Sequence, residues 1–439
     1  MDERGGGDGQ GVSTDGGAVA GAAATGAPDG ELPDPPAPGE PRHYLRALDL
    51  FRVLAFVGVV AQHAVLWPVP GGSQVGWAFV MFLHATRNVF FFSAALVAVY
   101  SQLQRPLSVG RLWVRRIGTL AVPYLTWTFI YFLYTMATTA RGAATPGSTL
   151  WHDISNGYYQ LYFLVVLFQV YFLLPAIVWL VRRTRGHHAL LFGVSLALQL
   201  AMMTLSHYFR FSYGAWHAVR ALDLTLITPR LVVGYQLYIV AGALAADHLG
   251  QVHRVLDRRN GRVLWGFAGM FAVLEGYYAF GLVQGNTPGH ASDLFQPVAA
   301  LWFLAACYGL WALGVRWARR AAARPATRLD RAVTWGSDAS GGYYLSHVLV
   351  LQLIFSGLQS AGLTGPSSWG AASVVLFAGT LAGAGILVAL LWRTPLRTVL
   401  TGPDRKAQRS AYPAFPPAAQ EPSTGAVAMA AATASAIAR

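Results

Sequence analysis

Ten predominantly apolar stretches, each about as long as a bilayer crossing, recur along this 439-residue chain. They run at about 48–67, 75–100, 117–139, 159–181, 188–206, 225–247, 263–284, 293–315, 339–361 and 371–392. A helix that crosses the hydrocarbon core needs roughly 20 apolar residues. Inside lipid every backbone N–H and C=O must be satisfied within the chain, which leaves helices and closed barrels. Unbroken runs of this length, without period-two alternation, specify helices. The fold class expected is an all-α integral membrane protein of about ten transmembrane helices. Composition agrees: 12% of residues are charged, about half the share usual in soluble proteins.

The two ends have a different character. Residues 1–41 are rich in Gly, Ala, Pro and Asp and hold no aromatic residue. Such a segment buries too little apolar surface to offset its ordering entropy, so a disordered N-terminal tail is expected at 1–41. Residues 402–439 repeat the pattern and are expected to form a disordered C-terminal tail. The membrane domain is thereby bounded at 42–401, with no second folded domain at either end. The single cysteine, Cys307, lies within an apolar run; it excludes an intrachain disulfide and a Cys-rich metal site.

The net charge of +13 raises the question of nucleic acid or anionic partners. The placement of the charge answers it. Arg105, Arg111, Arg115 and Arg116 follow the second span, and Arg182, Arg183 and Arg185 follow the fourth. Arg254, Arg258, Arg259 and Arg262 follow the sixth, and six arginines from Arg316 to Arg331 follow the eighth. The opposite loops at 68–74, 285–292 and 362–370 contain no Arg or Lys. Cytosolic loops are the ones enriched in basic residues, so both termini are expected in the cytosol. The excess positive charge is then a topology signal, and no nucleic acid partner is implied.

Ionisable residues within spans are costly and mark function by default. The chain offers Arg52 and His63 in the first span, His84 and Arg87 in the second, Glu275 in the seventh and His347 in the ninth. Each has a structural alternative: a snorkelling arginine, a hydrogen-bonded core histidine, or an Arg87–Glu275 ion pair. Arg52 and His63 are distinguished by spacing. Eleven residues make three turns plus about 20° and a rise of roughly 16 Å, so both lie on one face of one helix. Glu275 counts to about the depth of His63 by the same rise of ~1.5 Å per residue. The histidines lack ligand-like spacing with carboxylates, so no metal is expected. Glycines within the spans are expected to permit close helix packing.

Arg52 through His63, within LDLFRVLAFVGVVAQH, resembles the arginine, ten-residue gap and histidine of the type 3 membrane acyltransferases. Further segments fall in family order: RNVFFFSAAL at 87–96, RRIGTLAVPYLTW at 115–127, YYQLYFLVVLFQVYFLLP at 158–175 and SGGYYLSHVLVLQ at 340–352. The similarity spans residues 45 to about 395. Four positions depart from the family pattern: Ala94 for a glycine, Gln160 for a histidine, Tyr162 for a tryptophan and Thr119 for an arginine.

The resemblance implies transfer of an acyl group, acetyl or another short one, from acyl-CoA to a hydroxyl of a glycan, glycolipid or secreted small molecule. In that scheme Arg52, with Arg115 and Arg116, holds the donor phosphates. His63 is either the general base or a covalent acyl carrier. Arg87 and Glu275 orient the acceptor or stabilise the oxyanion, and Tyr344, Ser346 and His347 line the same space. Acyl-CoA is a co-substrate, with no permanently bound cofactor, and the setting is the cell membrane, crossed many times. The alternative reading is a transporter or flippase for a lipid-linked sugar or small molecule, which buried polar groups also suit.

Overall fold

The computed structural model describes residues 46–138, 145–208 and 230–402. The expected tails lie outside the described residues, apart from Gly402, as does most of the stretch between the fifth and sixth expected spans. By density of internal contacts the chain falls into two units, Met1–Pro41 and Arg42–Arg439. Every described residue belongs to the second.

The described chain is helical and contains no β-strand. In order come α1 (Ala47–Leu66), α2 (Gln74–Leu83), α3 (Ala85–Gln104), α4 (Val109–Thr138), α5 (Pro146–Asn156), α6 (Tyr162–Arg183) and α7 (His188–Tyr208). There follow α8 (Gln236–Asp247), α9 (Leu249–Arg258), α10 (Asn260–Val283), α11 (Pro297–Ala322), α12 (Arg328–Ser360), α13 (Trp369–Leu391) and α14 (Arg397–Thr401). Among the described residues nine segments are long and apolar enough to cross a membrane, with α2 and α3 counted together. A tenth exists if α8 and α9, bent by 94° at their junction, form one broken span. The protein is thus an all-α, multi-pass membrane protein.

Two expected spans change shape. The second breaks at His84, between α2 and α3. The sixth was expected as one run at 225–247. Its described part is a 3-10 turn at Val232–Tyr235 followed by the 12-residue α8, which turns sharply into α9. Leu249 and Leu256, seven residues apart, are buried, whereas Arg254 and Arg258 are exposed. That amphipathic pattern lays α9 across the bundle instead of through it.

Helix α3 is deeply enclosed, with Phe91, Phe92, Leu96 and Val99 fully buried. It packs closely on α8 because Gly242 has no side chain: a Cβ there would lie 2.3 Å from the Phe92 carbonyl oxygen. Helix α1 packs against α11, α12 and α13. Near its start the Ser337 hydroxyl of α12 donates to Asp49 Oδ1 over 2.7 Å, fully buried. Helix α4 meets α12 where Tyr131 donates to the Leu345 carbonyl (2.8 Å) and accepts from Leu349 N–H (3.1 Å). Trp127 on α4 donates to the Leu400 carbonyl of α14 over 2.8 Å. Helix α10 is the most peripheral span. Its Trp265 and Val283 are 81% and 85% exposed, a surface that is stable only against lipid.

Candidate active site

Two cavities lie along the inward face of α1. The first, of about 240 Å³, is lined by Arg52 of α1, Arg116 and Thr119 of α4, Asp338 and Ser340 of α12, and Thr401 and Gly402 at the end of α14. It sits at the end of the bundle where α1 and α12 begin. The second, of about 450 Å³, is lined by Gln62 and His63 of α1, His84, Arg87 of α3, Tyr159, Tyr162 and Arg230. Phe90, Phe163 and Tyr344 line both cavities. These three side chains form the partition between a chamber holding Arg52 and a chamber holding His63.

The inner chamber is built around His63. Its Nδ1 is buried and has no hydrogen-bond partner among the described residues. The ring stacks on His347, with centroids 5.5 Å apart and planes at 20°, and lies 5.4 Å from the Tyr159 ring. His347 belongs to α12 and is held more tightly. Its Nδ1 lies 2.8 Å from the Tyr344 carbonyl and 3.1 Å from the Tyr343 carbonyl. Carbonyls only accept, so the hydrogen-bond network assigns the proton to Nδ1 and the lone pair to Nε2. That Nε2 is buried and has no hydrogen-bond partner.

Two arginines, Arg87 and Arg230, line the chamber of His63. The Arg87 guanidinium donates to the Tyr162 hydroxyl over 2.8 Å and stands 5.1 Å above the Tyr235 ring. Tyr162, at the position where tryptophan is usual in the resembled family, thus supplies an oxygen acceptor that an indole cannot. Among the described residues no Asp or Glu lines this chamber. Its charge therefore favours an anion, or negative charge that develops during a reaction.

The wall opposite α1 is a strained turn. Gly157 has φ +76° and Tyr159 has φ +36°, left-handed conformations that side chains resist. A Cβ on Gly157 would lie 2.3 Å from the Tyr162 backbone nitrogen. The turn carries Tyr159, whose hydroxyl accepts from Trp67 Nε1 over 2.8 Å. It also carries the Gln160 carbonyl, which accepts from the Tyr344 hydroxyl.

Arg52, His63, Arg87 and Tyr344 line the two chambers, and His347 stacks against them. Arg116 lines the first chamber, its guanidinium 5.8 Å from the Tyr171 ring centroid. Arg115 is exposed and lines neither; one residue along a helix is a turn of about 100°. Ser346 is buried, its hydroxyl turned back onto the Gly342 carbonyl over 2.8 Å. Glu275 lies on peripheral α10, lines neither chamber and forms no ion pair with Arg87. Depth along a helix had suggested otherwise, but depth does not say which helix sits inside. Tyr159, Arg230 and Asp338 also line the chambers and carry no sequence signal of their own, while His84 and Tyr162 stand out in the sequence only as a histidine within a span and a departure from the family pattern. Asn156-Gly157, a strong turn dipeptide, is the one signal that marked the strained wall.

A family model described as an acyltransferase domain matches residues 45–389. That range takes in α1 to nearly the end of α13 and the lining of both chambers except Thr401 and Gly402. No curated protein and no solved structure matches the chain.

Proposed function

The chain belongs to the type 3 membrane acyltransferase family, and from that premise we propose that it moves an acetyl or other short acyl group from acyl-CoA to a hydroxyl. The acceptor is a glycan, glycolipid or secreted small molecule. The observation that carries this reading is the pair of adjoining chambers on one helix face, one holding Arg52 and the other His63. A donor with a polyanionic head and a long thin arm ending in a thioester matches such a shape. In this reading the arginine-rich end faces the cytosol, with both termini, and the membrane is the cell membrane.

Arg52 and Arg116 hold the donor phosphates, and the arm passes Phe90, Phe163 and Tyr344 into the chamber of His63. In the direct route His63 accepts the proton of the acceptor hydroxyl as its oxygen attacks the thioester carbonyl. The tetrahedral oxyanion forms beside Arg87, collapses, and expels the thiolate, which takes the proton back from His63. In the covalent route a His63 nitrogen attacks the thioester first and releases the thiol. The hydroxyl then attacks the acyl-imidazole. His347 Nε2, which carries a lone pair beside His63, is placed to accept the hydroxyl proton in that second step. A transporter reading gives the Arg52–His63 spacing no task.

Transfer of radiolabelled acetyl from acetyl-CoA in membranes tests the reading. Label should reach an extractable product with the wild type and not with His63→Ala at equal protein level. Samples quenched rapidly in cold denaturing detergent at neutral pH, where an acyl-imidazole survives, separate the routes, since only the covalent route leaves label on the protein. Unchanged transfer by His63→Ala would sink the proposal.

A further inference from the structure

We propose a zinc-type divalent metal site at the arginine-rich end of the bundle, formed by His188, Asp247 and His248. His188 is the first residue of α7, Asp247 the last of α8, and His248 occupies the bend into α9. His188 Nδ1 lies 2.6 Å from His248 Nε2 and 4.0 Å from Asp247 Oδ2. One ligand atom from each residue falls within 4.8 Å of the others. A tetrahedral ion with bonds of about 2.0–2.2 Å holds its ligand atoms roughly 3.3 Å apart. The observed separations straddle that value, so the ion needs only sub-ångström shifts of side chains.

The surroundings already orient the donors. His188 Nε2 lies 2.8 Å from the Val181 carbonyl. A carbonyl only accepts, so Nε2 carries the proton and Nδ1 presents its lone pair to the cluster. Such a bond behind the ligating imidazole is the usual support of a metal-binding histidine. Arg185 donates to Asp247 Oδ1 over 2.9 Å, which leaves Oδ2 for the ion. The His188 and His248 rings meet edge to face at 82°, so they converge on a point instead of stacking. Side chains of His188 and Asp247 are 11% exposed, shielded but reachable. On binding, the ion replaces the hydrogen bond that His248 Nε2–H donates to His188 Nδ1, and the His248 proton moves from Nε2 to Nδ1.

Two imidazole nitrogens and one carboxylate oxygen suit Zn(II), Co(II) or Ni(II) and disfavour Mg(II) and Ca(II). Water completes the fourth position. The ion ties the start of α7 to the 94° bend between α8 and α9, which no single helix stabilises.

The test uses the full chain, purified without a polyhistidine tag in detergent and dialysed against Zn(II) and then metal-free buffer. Elemental analysis should find about one zinc per chain. The His188→Ala/His248→Ala variant should retain almost none. Co(II) loading supplies a readout independent of folding losses. Wild type should show the visible bands of tetrahedral Co(II), and His248→Cys should add a thiolate charge-transfer band. Cys307, the native thiol, is fully buried and adds no background. Absence of stoichiometric metal, full retention by the double variant, or Co(II) bound to His248→Cys without the thiolate band would each overturn the site. None of these measurements depends on acyl transfer.

Discussion

His63 and His347 stack face to face, yet they are held differently. His347 is anchored through Nδ1 to two carbonyls of its own helix, while His63 Nδ1 has no such anchor. A reacting imidazole needs freedom to exchange its proton, and the anchored one can only offer the lone pair on Nε2. Substitutions separate the two. His63→Ala should lower acyl transfer by about 10²–10⁴-fold, the usual worth of a positioned acid–base group. In His347→Asn the amide keeps the donor toward the Tyr344 carbonyl and removes the lone pair. Protein level and thermal midpoint should stay close to wild type, while transfer falls about 10-fold or more. Equal activity of His347→Asn and wild type would reduce His347 to a packing residue. Tyr162→Phe makes a separate case: it deletes the oxygen that accepts from buried Arg87. A charged donor left without its acceptor costs about 1–3 kcal/mol, which should appear as a lowered unfolding midpoint in detergent.

Element by element, the positions of the spans were readable because hydropathy over some 20 residues is a strong local signal. The sharing of one face by Arg52 and His63 was readable for a similar reason, since it follows from helical pitch alone. What packs against what was not readable. Glu275 shares a depth with His63 but sits on α10, whose outward face is lipid-exposed. Arg115 and Arg116 are adjacent in sequence, yet only the second reaches a chamber. The bend at His248 brings its ring against His188 of α7, a contact that no local window contains. Two expected outcomes follow. Glu275→Gln should leave transfer within about 2-fold of wild type, because the residue touches neither chamber; a large loss would return it to the site. Gly157→Ala should abolish transfer and lower protein yield. It forces a side chain onto φ +76° and into the Tyr162 backbone, a cost well above the ~1 kcal/mol of an ordinary glycine substitution.

For the molecule as a whole, the decisive question is which end of the bundle faces the cytosol. The first chamber opens where α1 and α12 begin, beside the arginine-bearing segments that follow α3 and α11, and acyl-CoA is a cytosolic donor in the proposed scheme. At the opposite end the loops at 68–74, 285–292 and 362–370 hold no Arg or Lys, and the segments 139–158 and 207–224 hold three arginines between them, Arg141, Arg210 and Arg220. Charge bias of this kind sets orientation during insertion, so chamber and charge must point the same way if the scheme holds. The chain is suited to a labelling test because its one cysteine, Cys307, is fully buried. Gly72 lies exposed in the loop between α1 and α2, and Ala323 lies exposed just after α11. A membrane-impermeant maleimide should label Gly72→Cys in intact cells, and Ala323→Cys only after the membrane is opened. Labelling of both from outside would contradict an odd number of crossings between them. Labelling of Ala323→Cys alone would invert the protein. The Arg52 chamber would then open away from the acyl-CoA pool, and the proposed donor would have to be replaced by one available on the outer face.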